Sequence, residues 1–234
     1  IVIEQELVMN WHTSIIVRNL GLCDYPPVME AMRIWTCRRT PSTLDEIWML
    51  EHLPVYTRGV SCRDKPRKLR KKIELIDSDR GGQITYHGPG QLVVYLLLDL
   101  RRLGLGVRKL VALMEQTAID FLREHKIDAN VKEGAPGVYV SEAKVAAIGI
   151  RVRKGCSYHG FSLNVDMDLA PFEFINPCGY ADLKVTQLKD LGISVGVGQV
   201  RQQLIECLAR TFRYRDVRYT DMSNTQLEKL SVAL

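Results

Sequence analysis

Cys178 stands in Asn176-Pro177-Cys178-Gly179, between two residues that break regular backbone, so it is expected in a loop and not in a core strand. A loop thiol next to a cation is held as thiolate and can serve as a nucleophile; away from one it is an inert, packed cysteine. Lys144 opens the segment Lys144-Val145-Ala146-Ala147-Ile148-Gly149-Ile150-Arg151-Val152-Arg153. Strand alternation puts it on the face of Ala146, Ile148, Ile150 and Val152, opposite Arg151 and Arg153. Partial desolvation at the end of that apolar face would fit an amine for proton transfer; a lysine at the strand mouth could equally reach out to water.

The run Arg80-Gly81-Gly82-Gln83-Ile84-Thr85-Tyr86-His87-Gly88-Pro89-Gly90-Gln91 has four glycines in twelve residues. It reads either as a loop whose backbone lines a narrow pocket or as a tight structural turn. It does not match the G-x-x-x-x-G-K-[ST] phosphate loop, so it gives no indication of nucleotide binding. Cys156 and His159 form a lone Cys-x-x-His pair with no second pair nearby, which does not make a structural zinc site. A Cys178–His159 hydrolase dyad is an alternative that the residues leave open.

These residues need a scaffold, and the pattern along the chain is α/β. A helix is expected after Pro26-Pro27, where Val28, Ala31, Met32 and Trp35 recur at helical spacing. Strands are expected over 47–52, 92–100, 138–140, 144–153 and 161–165, with residues 75–78 leading into the glycine-rich run and a tight hairpin turn through Ser141-Glu142-Ala143. The clearest helix carries Val107, Leu110, Val111, Met114, Ala118, Phe121 and Leu122 on one face; a second amphipathic helix carries Val200, Leu204, Cys207, Leu208 and Phe212. With 234 residues, 46% of them hydrophobic and 25% charged, one α/β domain is expected. The first eleven residues read as an extension, with Met9 as an alternative start, and a polar tail is expected from Thr220.

The longest apolar run, 92–98, is seven residues, far short of the ~20 that a membrane span requires. No leader pattern precedes it, and six cysteines are spread along the chain, so a cytoplasmic protein with free thiols is expected. The net charge is +5, and residues 63–72 hold seven basic residues against one aspartate, a candidate docking patch for an acidic protein or simply a solvated loop. No heptad seam suggests oligomerisation, so a monomer is expected. Nucleic acid is not among the expected partners.

Taken together, 80–91, APGVYV (135–140), KVAAIGIR (144–151), GCSYHGFSLNV (155–165) and INPCGY (175–180) resemble, in order and spacing, the octanoyltransferases, also called lipoyl(octanoyl) transferases. The resemblance runs from about Leu20 to Leu188. It implies a single domain with a mixed sheet, flanking helices and an acyl tunnel, as in lipoate and biotin ligases. It implies Cys178 as the acyl-thioester nucleophile and Lys144 as the lysine that favours its thiolate and moves protons. It implies an acyl pocket formed by Arg80, Gly81, Gly82, Gln83, Ile84, Thr85, Tyr86 and His87, by Ala147, Ile148 and Gly149, and by Gly160, Phe161 and Ser162. Ser162 stands where the family often has alanine, and the basic run 63–72 lies outside the shared pattern.

The implied reaction takes octanoyl from octanoyl-acyl carrier protein to lysines of lipoyl domains of 2-oxoacid dehydrogenases and of the glycine-cleavage H protein, without cofactor or metal. The rivals are an ATP-dependent lipoate-protein ligase, a non-catalytic carrier-binding protein and a Cys-His thiol hydrolase. The ligase also keeps a pocket lysine, but it has no need of a nucleophilic Cys178 and the loop lacks its run of three consecutive glycines; the presence of both Cys178 and Lys144 disfavours the non-catalytic protein. The hydrolase would have no use for an acceptor lysine.

Overall fold

The computed structural model describes residues 12–62, 69–70, 72–175, 184–222 and 226–227. Its elements in chain order are β1 (His12–Cys23), α1 (Tyr25–Arg38), β2 (Asp45–His52), β3 (Val55–Arg58), β4 (Glu74–Asp77), β5 (Ile84–His87), β6 (Gln91–Leu97), α2 (Val107–Glu124), β7 (Gly137–Val140), β8 (Ala143–Arg153), β9 (Cys156–Asn164), a 3₁₀ turn (Ala170–Phe174), α3 (Val197–Phe212) and β10 (Tyr214–Asp221). Seven strands form a mixed sheet in the order β10-β1-β2-β6-β9-β8-β7, and β4-β3-β5 form a smaller one. β1 runs parallel to both β10 and β2, and the pairings from β2 to β7 are antiparallel.

The unbroken apolar run of β6 follows from its central place, because both of its faces are covered. Leu92, Val94 and Leu96 point into the core under α2 and α3, while Val93, Tyr95 and Leu97 point to the core under α1. Period-two alternation therefore divides one hydrophobic run between two layers. The helices supply matching stripes: Leu110, Met114, Ala118, Phe121 and Leu122 from α2, and Val28, Ala31 and Met32 from α1. A third cluster, built from Tyr56, Ile84, Tyr86, Met167, Phe172 and Ile175, seats the small sheet against the 3₁₀ turn.

The hairpin turn after Val140 is two residues long. Ser141 and Glu142 take φ of 44° and 73°, the left-handed pair that a twisted two-residue hairpin requires. Several sequence expectations change. The glycine-rich run is not loop throughout, since β5 occupies its middle, and the strand expected at 161–165 begins at Cys156. β10 continues through Asp221, and Met222 and Leu227 are buried in the core under α1, where a polar tail was expected from Thr220. Among the described residues, no helix is long and apolar enough to cross a membrane.

Candidate active site

A cavity of about 480 Å³ opens between the 80–87 run, β8, β9, the start of β6, Tyr25 of α1, and Val107 and Val111 of α2. Arg80 organises its first wall. The buried guanidinium donates to the carbonyls of Gly81, Thr57 and Gln83 and to the Thr57 hydroxyl, over 2.7–3.1 Å. The backbone N–H of Gly81 then bonds the Ile150 carbonyl at 2.9 Å, which lays the loop across β8. A Cβ on Gly149 would stand 2.9 Å from the Gly81 oxygen, so the approach of loop and strand requires glycine there.

Thirteen of the fourteen residues expected to form the acyl pocket line this cavity; Tyr86 does not. The Tyr86 ring is taken up in the small core instead, packed on Tyr56 and edge-on to Phe172. Lys144 also lines the cavity. It does not reach out to solvent: it is 3% exposed, its Nζ donates to the Pro136 carbonyl at 3.0 Å and lies 5.0 Å from the centre of the Tyr139 ring.

Its face also differs from the alternation expected. The β7–β8 register shifts, pairing Val138 with Ala146 but Tyr139 with Lys144, so Val145 is an extra residue in β8. Such a bulge reverses the parity of the strand and sets Lys144 with Ala147 and Gly149 instead of with Ala146. Cys178 lies outside the described residues, and so do Arg63, Lys65, Arg67, Lys68 and Lys71 of the basic run. The described segment beyond Cys178 is joined to the site: Lys144 N–H bonds the Lys184 carbonyl at 2.8 Å and Thr186 N–H bonds the Lys144 carbonyl at 2.9 Å.

The polar side of the cavity was only partly foreseen. Tyr25 bonds Ser78 at 2.6 Å, Tyr95 bonds His52 at 2.7 Å, and Gln91 and Asn164 bond one another at 2.9 Å. Gln91 and Asn164 sit inside the motifs that resemble the family, yet their residue types gave no reason to single them out; Tyr25 had no sequence signal beyond its place before Pro26. His159, with φ of 58°, donates from Nε2 to Asp79 at 2.8 Å and stands opposite Ile150, six residues along β8 from Lys144. Cys156 is buried, and its burial pushes the thiol up.

Burial pushes the imidazoles of His52 and His87 down to about 4 and about 3. The folded state thus resists protons that the unfolded chain would bind near pH 6.5. Their contribution to stability is complete above that pH and is lost as pH falls toward the folded values. At pH 4.5 the loss should be about 2–3 kcal/mol per histidine, at about 1.4 kcal/mol for each pH unit. Burial would raise the Asp79 carboxyl, but hydrogen bonds from His159 and Tyr158 outweigh it and hold the group at about 2, so its own loss falls at lower pH. Thermal unfolding from pH 7.5 to 4.5 should show a steep fall that His52→Gln makes shallower; an identical fall in the variant would contradict this origin.

The mixed sheet and its flanking helices have the fold of a lipoyl protein ligase type of catalytic domain. The family described as lipoyl protein ligase A/B catalytic domain matches residues 27–209. The octanoyltransferase of Azoarcus sp. (strain BH72) is 57% identical over 199 residues, covering 84% of this chain and 87% of that protein; that of Dechloromonas aromatica (strain RCB) is 55% identical over 195 residues, covering 82% and 94%. The chain therefore belongs to the octanoyltransferase family. Its fold is shared with a putative lipoate protein ligase from T. acidophilum with bound lipoic acid, at a TM-score of 0.73, 17% identity and 93% coverage of both chains. A lipoate-protein ligase A bound with ATP superimposes at 0.71, with 16% identity, over 95% of this chain and 94% of that one. At such identities the two solved structures establish the fold alone.

Proposed function

We propose that the protein takes octanoyl from octanoyl-acyl carrier protein onto Cys178 as a thioester and passes it to the acceptor lysine of a lipoyl domain. The acceptors in this reading are the lipoyl domains of 2-oxoacid dehydrogenases and the glycine-cleavage H protein. In the first step the Cys178 thiolate attacks the thioester carbonyl. A new C–S bond forms, the bond to the carrier's thiol breaks, and the Lys144 ammonium gives that leaving thiolate a proton. In the second step the acceptor amine attacks the acyl-enzyme, the C–N bond forms as the Cys178 C–S bond breaks, and the neutral Lys144 amine takes the proton. Ping-pong kinetics follow.

One observation carries the reading: a buried lysine sits in the wall of a cavity sized for a small acyl group, in a chain so similar to octanoyltransferases. Thioester exchange is nearly balanced and amide formation is downhill, so the transfer runs without ATP. The test is incubation of octanoyl-acyl carrier protein, enzyme and a lipoyl domain with no nucleotide. Octanoylation of the domain is expected; modification only with free octanoate and ATP would instead support the ligase reading.

Acyl carrier proteins are acidic, and Arg101, Arg151, Arg153 and Lys154 are exposed around the β8–β9 turn. Arg102 contributes less than the sequence suggested, because its guanidinium is engaged by Asp45 and by the Pro41 and Thr43 carbonyls. If this patch steers docking, the apparent KM for the carrier rises several-fold between about 0.05 and 0.5 M salt, as the screening length shrinks below ~10 Å. A flat response over that range would remove the patch from the account.

A further inference from the structure

A run of buried hydrogen bonds crosses the cavity wall from Arg80 to the segment paired with Lys144, and its direction is forced from one end. The Thr186 carbonyl can only accept, so the Asn164 atom 2.9 Å from it is Nδ2, a donor. Asn164 Oδ1 then faces Gln91, which donates Nε2 at 2.9 Å. Gln91 Oε1 faces His87 at 2.7 Å, so His87 carries its proton on Nδ1. Its Nε2 is left as an acceptor, 3.5 Å from the Thr57 hydroxyl, and that hydroxyl accepts from Arg80 Nε at 3.1 Å and Nη2 at 2.9 Å. Every member from the guanidinium onward donates toward the Thr186 carbonyl, and chains aligned in this way strengthen one another.

The Thr186 peptide is the other half of the junction. Its N–H bonds the Lys144 carbonyl, and the Asn164 carbonyl accepts the Leu188 N–H at 3.0 Å, so Asn164 holds the 184–188 segment by side chain and by backbone. We propose that the Arg80–Thr57–His87–Gln91–Asn164 chain is the positioning device of the acyl-transfer centre, with Asn164 as the positioning residue that sets the 184–186 segment against Lys144. The proposal rests on the reading that Cys178 and Lys144 carry the reaction. It gives the polar atoms of Arg80 and His87 work other than contact with the acyl chain, which offers no hydrogen-bond partner along its methylenes.

The experiment compares wild type with Asn164→Ala and with the shape-conserving Asn164→Asp, measuring kcat and KM for octanoyl-acyl carrier protein and the pH profile of Cys178 alkylation. Asn164→Ala should lower kcat by about 10–100-fold with KM within about threefold, and move the alkylation midpoint to higher pH; a single misplaced contact remote from the reacting atoms has effects of this size. In Asn164→Asp the carboxylate faces the Thr186 carbonyl and cannot donate, whereas the protonated acid can. The activity of this variant relative to wild type should therefore recover between pH 8 and pH 6, and that ratio stays informative if the alanine variant does not fold. An unchanged kcat, a rise confined to KM, or no pH-dependent recovery would overturn the proposal. Absence of an acyl-enzyme in wild type would instead overturn the reading on which it rests.

Discussion

Lys144→Ala is expected to lower octanoyl transfer by about 10²–10⁴-fold, the range over which positioned proton-transfer groups act. Nothing else in the described site duplicates its position. The side chain is buried, fixed by the Pro136 carbonyl and the Tyr139 ring, and set toward the cavity by the extra residue Val145. Removing it leaves the pocket intact but takes the cation away from the proposed nucleophile, so Cys178 alkylation should need higher pH. Lys144→Met, which keeps most of the volume, should behave like alanine in rate while matching wild type in thermal unfolding. A rate within threefold of wild type, or an unchanged alkylation profile, would remove Lys144 from the chemistry.

The largest expected effect on stability lies at a residue that does not line the cavity. Asp45 is 2% exposed, and its Oδ1 accepts from Arg39 at 2.6 Å, Arg102 at 2.7 Å and the Asp99 backbone at 2.8 Å, while Oδ2 accepts from Tyr214 at 2.9 Å. One carboxylate thus ties β2 to the end of α1, the loop after β6 and the edge strand β10. Asp45→Ala leaves the nearly buried Arg39 guanidinium without its anion, which costs about 3–5 kcal/mol. For a chain of this size that corresponds to a fall in Tm of about 6–20 °C. By contrast, removing Asp216 from its exposed pair with Arg218 should leave thermal unfolding nearly unchanged, because solvent screens both charges. A Tm within about 2 °C of wild type for Asp45→Ala would contradict the assignment.

What could be read from sequence was what local periodicity encodes. The α2 stripe from Leu110 to Leu122, the β6 run and a turn within Ser141-Glu142-Ala143 each leave a mark within a short window, although only the pairing of Val140 with Ala143 shortens that turn to two residues. The pairing of β1 with β10 leaves none, because His12 and Tyr214 meet only through the tertiary fold. The face of Lys144 was misread for a related reason: strict alternation has no way to mark an extra residue whose cause is the register of the neighbouring strand. Tyr86 lies off the cavity because its ring is taken up by Tyr56 and Phe172, a contact between separate elements that the run 80–87 does not show by itself. Asn164 and Gln91 were passed over because an amide shows its role only once its partners are known.

The most direct test of the central claim is intact-protein mass spectrometry after incubation with octanoyl-acyl carrier protein. Wild type should gain one octanoyl group that hydroxylamine removes, and Cys178→Ala should gain none. An adduct that persists in Cys178→Ala, or no adduct on wild type while the lipoyl domain is still octanoylated, would contradict the thioester route.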